Sequence, residues 1–200
     1  MISPQEALEK LIAGNERFAQ NKSIHPNRFE ETREVLLKQQ KPFVAVLSCS
    51  DSRVPIEIIF DAGLGDIFSV RTAGHVLSKE VLGSLEYAVK TLGVKLVIIL
   101  GHENCGAIRA AIETQKDDSK ISENLKAIME HIYPAIESSE CIEDSEDFLH
   151  CAVVSNIKYQ LRDLLKKDEY LAQKVKTGEI MLKGALYNLA TGKVELVNGK

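Results

Sequence analysis

No apolar run in this chain approaches the roughly 20 residues that a membrane helix needs. The longest runs, such as Leu96–Leu100, have the length of one short strand. No Lys/Arg block outweighs its acidic neighbours and the net charge is -4, which argues against a nucleic-acid footprint and leaves a small neutral or anionic substrate open. The opening Met1-Ile2-Ser3-Pro4-Gln5-Glu6 reaches acidic residues at once and lacks the basic-then-apolar order of a secretory signal, so a cytoplasmic protein is expected. Fixed-period repeats, linkers and low-complexity tracts are missing as well. Cysteine is sparse, with four in 200 residues, which fits reduced thiols, metal ligands or catalytic groups better than a disulfide framework.

What is present suits one domain. A 44% hydrophobic content supplies a single substantial core, and no second domain is required. Ser3-Pro4-Gln5-Glu6 reads as a capping box with proline at the first helical position, and Leu8, Leu11, Ile12 and Phe18 follow at helical spacing. With a second helix over Phe29–Gln40, residues 1–40 form a helical arm ahead of an α/β core over 41–200. Phe43–Leu47, Ile67–Val70 and Leu96–Leu100 are short apolar runs that suit strands buried on both faces. A short helix around Pro55–Phe60 and a helical stripe of Val81, Leu85, Ala88 and Leu92 separate them. Strands alternating with helices predict a mostly parallel, right-handed crossover sheet flanked by helices. Later come helical segments over Ile121–Ile136 and Phe148–Leu165. Between them Glu137–Asp147 carries six acidic residues in eleven and reads as a solvated loop. Glu179–Val197 reads as two strands around Thr191-Gly192.

In such sheets chemistry gathers beyond the carboxyl ends of the strands. Two fragments fall there: Cys49-Ser50-Asp51-Ser52-Arg53 after the first strand and His102-Glu103-Asn104-Cys105 after the third. Together they offer Cys49, His102 and Cys105 to one ion. Zinc accepts thiolate and imidazole in a tetrahedral shell, and three protein ligands with one open position is the catalytic arrangement. Cys105 would start the next helix, whose positive end favours the thiolate. Asp51 could be a fourth ligand, giving a closed structural site. Alternatively Arg53 takes its carboxylate in a bidentate pair and leaves the position to water. Gly101 and Gly106 suggest a crowded backbone with room for a small substrate.

The chain resembles the β-carbonic anhydrases through Cys49-Ser50-Asp51-Ser52-Arg53-Val54-Pro55, Gly63-Leu64-Gly65-Asp66-Ile67-Phe68, Arg71-Thr72-Ala73-Gly74-His75, Gly83-Ser84-Leu85-Glu86-Tyr87-Ala88-Val89 and Gly101-His102-Glu103-Asn104-Cys105-Gly106-Ala107. Gly14-Asn15-Glu16-Arg17-Phe18 and Gly184-Ala185-Leu186-Tyr187-Asn188-Leu189 add to the match, while 113–150 contributes nothing. The resemblance implies reversible hydration of carbon dioxide to bicarbonate, one Zn2+ per chain on Cys49, His102 and Cys105, and Asp51 and Arg53 as a switch pair in which Asp51 joins the metal only in a closed state. It implies a carbon dioxide pocket of Gln40, Phe68, Ala73, Tyr87 and Gly106, partly supplied by a partner subunit. The resemblance implies a homodimer or homotetramer and suggests that the N-terminal helix lies across the second subunit, the alternative being that it packs on its own domain.

Two departures stand out. His75 occupies a position that is often asparagine, and a neutral, hydrogen-bonded ring is expected there rather than a proton shuttle. Val46 stands where a bicarbonate-inhibited subgroup carries tryptophan; the chain has none, so that regulation is not expected although Arg71 matches part of the inhibitory pocket. Cys141 and Cys151 match no ligand and are expected as ordinary reduced thiols. Rival readings are a carbon disulfide or carbonyl sulfide hydrolase on the same scaffold, and a structural or sensory zinc protein closed by Asp51.

Overall fold

Both of the most apolar runs become central strands. In the computed structural model, which describes every residue except Met1, Arg28, Asp118, Lys120, Glu143, Asp144, Glu146 and 198–200, β1 (Val44–Cys49) and β3 (Leu96–His102) are buried along their whole length. They lie side by side and parallel. β2 (Ile67–Thr72) and β4 (Met181–Tyr187) add parallel strands outside them, and β5 (Val194–Val197) closes one edge antiparallel, in the order β2-β1-β3-β4-β5. The mostly parallel sheet is thus as expected, and the terminal pair forms the sheet-edge hairpin around Thr191-Gly192. Gly192 turns with φ +72, where a side chain would be strained.

Side-chain alternation sends the two central strands into two cores. Val44, Val46, Leu96, Ile98 and Leu100 face α1 (Pro4–Ala19) and α3 (Ile56–Ile59). Ala45, Leu47, Val97 and Ile99 face α4 (Lys79–Lys90) and a helix over Glu169–Lys176. A third cluster lies beyond the strand ends. It joins Cys49 and Cys105 to α5 (Gly106–Thr114), α6 (Glu123–Met129), α7 (Tyr133–Glu137) and α8 (Phe148–Lys167) through Ile108, Met129, Ile132 and Ile157. Among the described residues no helix is long and apolar enough to cross a membrane.

The capping box forms as read: Ser3 Oγ accepts from the Glu6 amide at 3.2 Å and the Ser3 amide donates to Glu6 Oε2 at 2.7 Å. The helix it starts packs on the chain's own core. Ala7, Leu8 and Leu11 bury against the strands, and buried Asn15 donates to Ile59 O and Gly192 O and accepts from the Val194 amide. By contrast α2 (Glu30–Leu36) buries no residue, and Phe29, Val35 and Leu37 are exposed on and beside it.

Elsewhere the structure differs from the expectation. The 121–136 segment breaks into α6 and α7 because Pro134, with no amide hydrogen to donate, sits in the first turn of a new helix. α9 (Glu169–Lys176) follows α8 after only Asp168, which caps it through the Leu171 amide. Cys141 and Cys151 are not free thiols: they form a disulfide with Cα atoms 5.7 Å apart. The chain before α8 folds back and sets Cys141 against that helix's first turn, a juxtaposition that a spacing of 10 residues does not reveal. Of the acidic stretch between them, Glu143, Asp144 and Glu146 lie outside the described residues.

Candidate metal centre

Because β1 and β3 are neighbouring parallel strands, Cys49 and His102 leave the sheet at the same end. Two residues after His102 the chain turns through Asn104, at φ +52, and delivers Cys105 as the N-cap of α5. Ligand atoms of Cys49, His102 and Cys105 lie within 4.8 Å of one another, and all three residues are buried. The two sulfurs stand 3.9 Å apart. His102 Nδ1 is 2.9 Å from Glu103 O; a carbonyl only accepts, so Nδ1 carries the proton and Nε2 keeps its lone pair. That Nε2 is buried with no hydrogen-bond partner. An inward-facing imidazole lone pair between two thiols, its other nitrogen fixed by a carbonyl, fits a zinc site both in its donors, two soft sulfurs and one nitrogen, and in its outer-shell pattern.

The charges point the same way. Donation from the Cys105 thiol lowers the Cys49 pKa, against the effect of burial, and Cys105 is pushed up by the same partner. The Gly74 amide adds a hydrogen bond to Cys49 Sγ at 3.4 Å. Asp51 is gripped by Arg53 at three points: Nε to Oδ1 at 2.9 Å, Nη2 to Oδ2 at 2.7 Å and the backbone amide to Oδ1 at 2.9 Å. This holds the Asp51 carboxyl well below the usual carboxylate range. Arg53 also reaches Asn104 O, tying the two fragments together. Asp51 Oδ2 lies 3.7 Å from His102 Nε2, beside the three ligand atoms.

Arg71 spends its guanidinium on backbone carbonyls. It donates to Cys49 O through Nε and Nη2 and to Asp51 O at 2.8 Å, clamping the backbone that carries both side chains. The register places it there: Arg71 pairs with Ser48 across β1 and β2, next to Cys49. His75 is fully buried; Asn156 Nδ2 donates to its Nε2 at 2.9 Å, and burial pushes its pKa down to about 4. It is the neutral, hydrogen-bonded ring that was expected. Gly101 is crowded, since a Cβ there would meet Ile157 at 2.6 Å, whereas nothing lies within 4 Å of one at Gly106. Only the second glycine leaves open room.

The predicted pocket residues divide. Ala73 follows Thr72, which pairs with Cys49, and Gly106 follows Cys105, so both adjoin the ligand group. Phe68 and Tyr87 pack together with ring centroids 6.1 Å apart. Phe68 is opposite Ala45, four residues before the Cys49 level and about 13 Å down the sheet. Gln40 lines a surface groove with Leu36, Leu37 and Leu64.

A family model described as carbonic anhydrase matches residues 44–194. The carbonic anhydrase of Mycolicibacterium smegmatis is 37% identical over 196 residues, covering 97% of this chain and 93% of that protein, and carbonic anhydrase 2 of Mycobacterium tuberculosis is 35% identical over the same span. The fold is shared with the β-carbonic anhydrase CcaA, with a TM-score of 0.75 at 24% identity over 96% of this chain and 95% of that one. The Coccomyxa β-carbonic anhydrase, solved in complex with acetazolamide, also reaches 0.75 at 22% identity, over 95% and 86%. The chain belongs to the β-carbonic anhydrase family. It is therefore an enzyme, a lyase acting on carbon dioxide and bicarbonate, and the five-stranded sheet is the family's fold. The matched span begins with β1 and ends in β5, so it contains every residue of the Cys/His/Cys group.

Proposed function

We propose that this carbonic anhydrase holds one zinc ion on Cys49, His102 and Cys105 and works through the Asp51/Arg53 pair. The observation that carries the reading is the buried, unpartnered Nε2 of His102 facing two sulfurs beside a carboxylate already engaged by Arg53. Zinc bound there would supply a Lewis acid that acidifies a water, less strongly than in a three-histidine site because two thiolates cancel its formal charge, so activity should rise on the alkaline side.

The protein's own part is orientation. With its oxygens engaged by Arg53, Asp51 is held back from a metal on Cys49, His102 and Cys105, which would leave room there for a water. Its low pKa makes it a poor store for a proton, so its use is as a fixed acceptor that aims the attacking oxygen at the carbon. Carbon dioxide plus water gives bicarbonate, and the released proton passes to solvent. Should the pair break, Asp51 can take the open position and exclude water.

Gln40, Phe68 and Tyr87 belong to this pocket through a second subunit. Gln40 and Tyr87 are exposed, and Gln40 shares its groove with Leu36 and Leu37 at the end of α2, the helix that buries nothing. A homodimer, or a tetramer such as the Sordaria macrospora enzymes described as tetrameric, covers them. The test is zinc content together with carbon dioxide hydration at about pH 8.5. One zinc per native chain is expected, with metal and activity lost together in Cys105→Ala, and metal kept but activity lowered in Asp51→Ala. A full zinc site without hydration activity at any alkaline pH refutes the proposal.

A further inference from the structure

Gly74 donates its amide to the Cys49 sulfur from a turn whose flanks are bridged by Thr72 Oγ1 donating to Val76 O at 3.2 Å. Two successive residues, Gly74 at φ +69 and His75 at φ +46, are in the left-handed region, which for a histidine costs on the order of 1 kcal/mol. The turn is also held from α8. Asn156 is fully buried on that helix, and its amide nitrogen donates to Gly74 O at 3.0 Å and to His75 Nε2 at 2.9 Å. One turn on, Gln160 donates to Asn156 Oδ1 at 3.0 Å and accepts from the Leu77 amide at 3.1 Å. The orientation of Asn156 is settled by its partners: Gly74 O can only accept, so Nδ2 must face it, and His75 must then keep its proton on Nδ1.

We infer that Asn156 is a positioning residue for the metal centre, holding the Gly74 amide on the Cys49 sulfur through the 73–75 turn. The inference rests on the proposed role of Cys49 as a ligand. An N–H donor on a thiolate draws electron density from it, and outer-shell partners of this kind are worth about 10- to 100-fold in metal affinity. Ile132 packs against the turn, 2.8 Å from where a Gly74 Cβ would be, through an apolar contact that cannot replace the hydrogen bond from Asn156. Gln160 serves the same helix face but reaches Leu77 and His131, not Gly74, and its loss acts on stability rather than on the sulfur.

The experiment uses the full-length chain loaded with cobalt(II) in place of zinc, alongside zinc affinity by chelator competition. In Asn156→Leu the thiolate-to-cobalt charge-transfer band is expected at lower energy, because an unbonded sulfur donates more readily, and zinc affinity falls about 10- to 100-fold. Gln160→Leu, equally buried, is expected to lower the melting temperature with the native band and affinity. A native band and affinity in a folded Asn156→Leu chain, or an equal shift in Gln160→Leu, overturns the inference. If Asn156→Leu does not fold, Asn156→Asp keeps the shape and the acceptor for Gln160 while removing the donor to Gly74, and the same shift is required of it. A native chain that binds cobalt with no thiolate band fails at the earlier step: it removes Cys49 as a ligand and the inference with it, whatever the variants do.

Discussion

Acid should destabilise this enzyme through His75. The ring is fully buried, its Nε2 accepts from Asn156, and its Nδ1 has no partner. Burial is the chief cause of the pKa near 4; the Cys49 sulfur pulls upward and His102 pushes further down. The ordinary value is 6.5. Between those values the unfolded chain takes up a proton that the folded chain refuses, so stability is whole above about pH 6.5 and falls as the pH drops to about 4, where the loss levels off. At 1.36 kcal/mol per pH unit the whole loss is about 3 kcal/mol. With a urea slope of about 1–3 kcal/mol per molar, the unfolding midpoint should move by about 1 M or more. Other groups titrate over the same range, so the measurement is a difference: urea unfolding of the native chain and of His75→Asn, which takes up no proton, at steps from pH 7.5 to 4. As the pH falls the native chain should lose about 3 kcal/mol relative to the variant, so the curves converge if the native chain is the more stable at neutrality and separate if it is the less stable. Curves that stay parallel over the whole range refute the reasoning.

Two further outcomes follow from the same geometry. Arg53→Ala releases Asp51 beside His102 Nε2, so zinc should be retained while hydration activity falls by at least about 100-fold, a loss comparable to removing one preorganised polar contact in a catalytic site; native activity in that variant removes the switch pair. Asn15→Leu strands the buried Val194 amide and the Ile59 and Gly192 carbonyls, and should cost about 1–3 kcal/mol in thermal unfolding while the zinc content stays native; a cost near zero would show that α1 does not hold the terminal hairpin through Asn15.

Much of the architecture is legible in the chain itself. A strand buried on both faces must be apolar throughout, so Phe43–Leu47 and Leu96–Leu100 announce central strands, and helices between parallel strands follow from the need for a crossover. Cys49 and His102 were legible as a pair because each ends such a strand, and Asp51 and Arg53 because two residues is a short enough reach for a fork-to-carboxylate contact. The missed elements lack that kind of signal. α9 is short and follows α8 without a glycine or proline to separate them, whereas the break before α7 did have its signal in Pro134. Arg71 and Asn156 act on backbone atoms 22 and 82 residues away, and a hydrogen bond to a distant carbonyl leaves no pattern along the chain.

By itself, then, the sequence determined the parallel sheet, the end of it at which the site forms, the chemical character of the ligand set and the family. Those rest on local periodicity and on residue types that carry their chemistry wherever they are placed. Only the tertiary structure decided that α1 packs on its own core, that Cys141 meets Cys151, and that Asn156 holds the turn against Cys49. Each of these depends on how far the chain folds back between contacting residues, which is fixed by packing across the sheet and not by the neighbours of any one residue.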